Sequence, residues 1–141
     1  MKKVLAGVAA AAAFLAGAGT ALGAADWHGI PTLNSSGVRF QEGEYRFHPP
    51  LQNDGAFEWK GRLKDRAQND GHNVYMQVRV EGYDWVRYEG RQGETVFMHH
   101  SEVAGGQLYT DDAYLRACRN KGSLRPDNCS PTKHYLVRRG S

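Results

Sequence analysis

Six histidines, His28, His48, His72, His99, His100 and His134, are the side chains of this 141-residue sequence best suited to hold a metal ion or relay a proton. Their spacing argues against a metal. None forms a His-x-His or His-Glu-x-x-His pattern, and the neighbours His99 and His100 would point to opposite faces of a strand. No metal and no cofactor is expected. Acid–base cleavage of a glycoside would need two carboxylates across a cleft, and Glu81, Asp84, Glu89, Glu94 and Glu102 lie on or beside expected strands. Nothing in the spacing selects a pair, and solvated surface is the ordinary place for Asp and Glu. There is no Gly-x-Ser-x-Gly turn to expose a nucleophilic serine, and the two cysteines leave no single reactive thiol. No catalytic residue is assigned.

Binding chemistry has a more concentrated signal. Tyr83, Trp85, Arg87 and Tyr88 cluster with Asp84 between Gly82 and Gly90. Aromatic rings with arginine are the composition of a protein contact patch, and rings also stack on the faces of sugars. These four residues are the candidate ligand-binding group. A competing reading follows from strand geometry, which places Trp85 and Arg87 on one face and Val86 and Tyr88 on the other, so that half of the cluster belongs to the core. Arg119, Lys121, Arg125 and Lys133 form a second, basic candidate surface.

The elements that must position these groups read as strands, because apolar residues alternate with polar ones and no window keeps a 3.6-residue period. In 57–64, Phe57, Trp59, Gly61 and Leu63 share one face, and Glu58, Lys60, Arg62 and Lys64 the other. In 74–81, Val74, Met76, Val78 and Val80 alternate with Tyr75, Gln77, Arg79 and Glu81 in the same way. Shorter strands are expected at 38–40, 45–47, 85–88, 95–99, 113–119 and 134–138. Turn formers separate them at Asn53-Asp54-Gly55, Asn69-Asp70-Gly71, Gly90 to Gly93 and Gly105-Gly106. The fold class expected is all-β, an antiparallel β-sandwich or barrel of about eight short strands with one disulfide.

That disulfide joins Cys118 to Cys129, the even pair left in an exported chain. Export is read from the start of the sequence, where Lys2 and Lys3 precede the apolar run Val4 to Leu15 and small residues follow at Ala21, Gly23, Ala24 and Ala25. The organisation expected is a signal peptide at 1–25, an extended lead segment at 26–37, loosely ordered or docked on a partner, and one β domain at 38–141. Without residues 1–25 the chain holds 16 Lys+Arg and 15 Asp+Glu, a formal charge of +1 where the whole sequence has +3. The charge is segregated: 26–112 carry nine basic and fourteen acidic side chains, and 113–141 seven and one. Neutralisation between adjacent strands is the favoured account of this, and a basic tail that meets an anionic polymer or an acidic partner at long range is the other.

The alanine-rich signal, the glycine-rich β body and the closing hairpin from Tyr114-Leu115-Arg116-Ala117-Cys118 to Cys129 resemble the small secreted proteins of actinomycetes. The resemblance implies export and carries over no functional residue. Trp85-Val86-Arg87-Tyr88 is similar to the Trp-Arg-Tyr triplet of proteinaceous α-amylase inhibitors, but the inserted Val86 and the single cysteine pair depart from that family. The function expected is therefore a secreted, non-catalytic protein that recognises an extracellular protein or glycan, with a small secreted hydrolase acting on a polysaccharide as the alternative. No nucleic-acid partner is expected, and no membrane association after signal cleavage.

Overall fold

The computed structural model describes residues 26–137; the signal peptide expected at 1–25 lies outside the described residues. Ten strands follow in chain order: β1 (His28–Ile30), β2 (Leu33–Ser35), β3 (Val38–Phe47), β4 (Phe57–Asp65), β5 (Val74–Val80), β6 (Val86–Glu89), β7 (Thr95–Glu102), β8 (Asp112–Arg119), β9 (Asn128–Cys129) and β10 (Lys133–Leu136). They form two antiparallel sheets. The first runs β1-β3-β4-β7 with β2 also on β3, and the second runs β10-β8-β5-β6 with β9 also on β8.

The period-two patterns become the two walls of one core. Phe57, Trp59 and Leu63 of β4 face Val74, Met76, Val78 and Val80 of β5 across the interior, and β8 adds Ala113, Leu115 and Ala117. Gly61 keeps its place in the inward row because Phe40 of β3 fills the space above it: a Cβ there would stand 2.2 Å from the Phe40 ring. Phe40 in turn meets Trp59 edge to face, with ring centroids 6.0 Å apart. Rings also join the sheets, since Tyr45 of β3 stacks on Tyr135 of β10 at 4.0 Å.

Three features differ from the reading by periodicity. The segments expected at 38–40 and 45–47 are one strand, because a bulge between Gln41 and Glu44, with Glu42 at φ 55°, carries β3 past its polar break. Residues 26–37, expected as a lead segment, supply β1 and β2, whose Ile30 and Leu33 are buried in the core. Ser36-Gly37 makes that return, with Gly37 at φ 82°, and the β domain therefore starts at His28 and not at Val38. The third difference is β9, two residues beside β8 at the Cys118–Cys129 disulfide, which is formed. The turn at Asn53-Asp54-Gly55 has positive φ at all three residues, 45°, 53° and 64°.

Candidate functional site

The outer face of the second sheet gathers rings and guanidiniums from four strands. Register puts Arg79 of β5 opposite Tyr114 of β8, and Tyr114 opposite His134 of β10; one row along, Gln77 lies between Arg87 of β6 and Arg116 of β8. Trp85, one residue before β6, lies against two guanidiniums, Arg79 at 5.0 Å and Arg116 at 4.3 Å. Arg79 also sits 4.6 Å from the Tyr114 ring, and Tyr114 stacks on His134 at 4.1 Å with planes 6° apart. The row is tied at its ends, as His134 pairs with Asp112 and Arg116 donates to Gln77 Oε1 at 2.8 Å. Each stacked cation contributes about 0.5–2 kcal/mol, depending on desolvation, so the rings are held before any ligand arrives.

A cleft of about 430 Å³ opens beside this row, lined by Arg79, Glu81, Tyr83, Asp84, Asp112 and Tyr114 among others. Small-molecule sites commonly span about 300–1,000 Å³. Tyr83 donates its hydroxyl to the Gly105 carbonyl at 2.9 Å and leaves much of its ring in water. The Glu81 carboxyl is raised above its ordinary value, first by the side chain of Asp111 and then by burial, while the Asp111 N–H donates to Glu81 Oε1 at 3.1 Å.

The structure thus divides the group expected to bind. Trp85 and Arg87 share the outer face, where Arg87 lies 3.6 Å from the Tyr75 ring and pairs with Glu89. Tyr83 borders the cleft. Tyr88 turns inward, meets Trp59 at 5.4 Å, stacks on His100 at 3.9 Å and donates to Glu102. Burial and the Glu102 carboxylate push the Tyr88 hydroxyl well above its ordinary pKa, and burial holds His100 below its own. Arg79, Tyr114 and Arg116 were missed as site residues. Their signal was present as the polar half of β5 and β8, which alternation alone reads as solvent. Of the basic hairpin group, Arg119 pairs with Asp70 across the charge-segregated halves of the chain.

The first sheet has its own polar cluster. Glu58 is only 8% exposed although it stands on the outward row of β4. It accepts from Arg46 Nε at 2.8 Å, from His48 Nε2 at 2.6 Å and from His99 Nε2. Burial alone would raise its pKa, but the bonds from His48, Arg46 and His99 outweigh burial and leave it at about 2. Trp27 covers this cluster, 4.2 Å from the cationic groups of both Arg46 and Lys60 and edge-on to His99. Among the described residues no group of three or more His, Cys, Asp and Glu is arranged to hold a metal ion. No known protein family, curated protein or solved structure matches the chain. The site is therefore read from its own chemistry.

Proposed function

We propose that the chain is a secreted, non-catalytic binding module that recognises an extracellular protein or glycan through the outer face of its second sheet. The observation that carries this reading is Trp85, a half-buried ring held by Arg116 and by Arg79, which itself lines the cleft. Tryptophan, tyrosine and arginine are enriched in binding hot spots, and the two aromatic side chains bury much area with little loss of rotamer freedom. The disulfide suits an oxidising compartment outside the cell.

Trp85→Ala tests the reading. Wild type and variant, immobilised side by side, are challenged with culture-medium proteins and with cell-wall polysaccharide. Wild type should retain a ligand, and the variant should lose about 2 kcal/mol or more of affinity at a nearly constant melting temperature. Full affinity in the folded variant removes Trp85 from the interface, and loss of folding returns the ring to a structural role.

A polysaccharide hydrolase is the second reading, favoured by Glu81. A carboxyl raised by a neighbouring carboxylate, in a cleft that Asp84 and Asp112 also line, has the environment of a general acid. Release of reducing ends from the retained polysaccharide, abolished by Glu81→Gln, would replace the binding reading with this one.

A further inference from the structure

We infer that the cleft beside Trp85 receives a single carboxylate-bearing sugar unit of an extracellular polysaccharide, an inference that rests on the binding reading above and narrows it. Its centre is Arg79. The guanidinium stands 5.0 Å from the Trp85 ring and 4.6 Å from the Tyr114 ring, and among the described residues its side chain makes no hydrogen bond or ion pair. This is so although three carboxylates line the same cleft. Two of them are engaged elsewhere: Asp112 with His134, and Glu81 with Asp111. Stacking occupies the faces of a guanidinium and leaves the N–H donors at its edge, in the fork that matches a carboxylate. Arg79 is therefore available as a receptor for one anionic group.

The rest of the cleft selects the class of molecule that carries that anion. Tyr83, half in water, offers ring surface to the apolar face of a pyranose, while the Tyr114 ring is already covered by His134 and Arg79 and lines the cleft by its edge. Asp84, exposed and without a side-chain partner among the described residues, accepts from hydroxyl groups. An acidic peptide would bring successive carboxylates against Glu81, Asp84 and Asp112, and like charges in close approach repel. A uronate flanked by neutral sugars brings one carboxylate for one unpaired guanidinium and hydroxyls for the acceptors. Of the two, the glycan brings the fewer carboxylates against this lining.

Hyaluronan oligosaccharides, in which glucuronate alternates with a neutral amino sugar, are a suitable probe. Titration calorimetry on the full mature chain compares them with the carboxyl-reduced form and with polyglutamate. The inference expects at least tenfold tighter binding of the acidic oligosaccharide than of the reduced one, abolished in Arg79→Gln, with polyglutamate a poor competitor. Amide shifts in the wild type at Tyr83, Asp84 and Tyr114 on titration locate the site even if that variant does not fold. Equal binding of acidic and reduced forms overturns the acidic specificity and leaves a glycan-binding face. Effective competition by polyglutamate, or shifts confined elsewhere, overturns the sugar-acid site. Failure of both oligosaccharides to bind overturns it as well, while the Trp85→Ala comparison decides separately whether the face binds anything.

Discussion

The hydroxyl of Tyr88, on β6 of the second sheet, donates to both carboxylate oxygens of Glu102, on β7 of the first, at 2.8 and 2.9 Å. Trp59 Nε1 completes the arrangement from β4 at 2.8 Å. A buried carboxylate is tolerable only where its oxygens are satisfied, and here the donors come from both sheets. The bond therefore fixes the edge strand β6 over the core. Three residues earlier on the same edge stands Trp85, whose ring Arg79 and Arg116 hold on the outer face.

Tyr88→Phe should accordingly lower stability by about 1–3 kcal/mol, the usual cost of depriving a buried polar group of a partner. Urea denaturation measures this directly. The variant should keep its tryptophan–arginine row and its ligand affinity once folded. An affinity loss equal to that of Trp85→Ala, without any shift of the denaturation midpoint, would instead make Tyr88 a contact residue.

Glu58 sets a second expectation, in pH. Its folded pKa of about 2 lies below its ordinary value of 4.5, so the stability that it contributes is fully present above about 4.5 and is lost as pH falls through about 2. Denaturation midpoints measured from neutral pH down to about 2 should fall across this window. In Glu58→Gln that part of the slope should disappear, at the cost of lower stability near neutral pH, because Arg46 and the two histidines lose their carboxylate. An unchanged acid slope in the variant would assign the acid sensitivity to other carboxylates.

Most of the architecture follows from alternation. The rows Phe57-Trp59-Gly61-Leu63 and Val74-Met76-Val78-Val80 fall inward as their spacing requires, and cysteine parity gives the disulfide. What alternation misses is burial on the polar face. Glu58 and Tyr75 occupy outward positions and are nevertheless buried, because Trp27 folds over one while Arg87 and Asp127 close over the other. Such cover comes from residues distant in sequence, and no local period records it. The candidate site shows the same limit: Trp85 and Arg87 were visible as a cluster, whereas Arg79, Tyr114 and Arg116 join them only through cross-strand register.

Gly61→Ala probes the close approach in the first wall of the core. The added Cβ would lie 2.2, 2.6 and 2.9 Å from three atoms of the Phe40 ring, far inside van der Waals contact. Phe40 is itself fully buried and has no open side to move into. Overpacking of this kind typically costs about 1–3 kcal/mol. Thermal unfolding should show a lower midpoint, and the double change Gly61→Ala with Phe40→Leu should recover part of the loss. A neutral single variant would mean that the ring has room the structure does not show.

The disulfide makes a prediction that joins stability to a spectroscopic signal. Cys118 and Cys129 are 11 residues apart, and restricting a loop of that size in the unfolded chain contributes about 3 kcal/mol in the chain-entropy account. The loop they close contains Asp127, which accepts a hydrogen bond from the Tyr75 hydroxyl; burial and Asp127 together push that hydroxyl up to about 12. A raised tyrosine pKa contributes stability below its ordinary value of 10.0 and loses it as pH rises through about 12. Replacing both cysteines by serine should therefore lower the unfolding midpoint and, in the folded variant, let one tyrosine titrate closer to 10 by ultraviolet absorbance. Tyr135, raised to about 12 by burial and Tyr45, lies away from the loop and serves as the internal control. A variant that loses stability without any change in tyrosine titration would show that the loop keeps Asp127 on Tyr75 without the covalent bond.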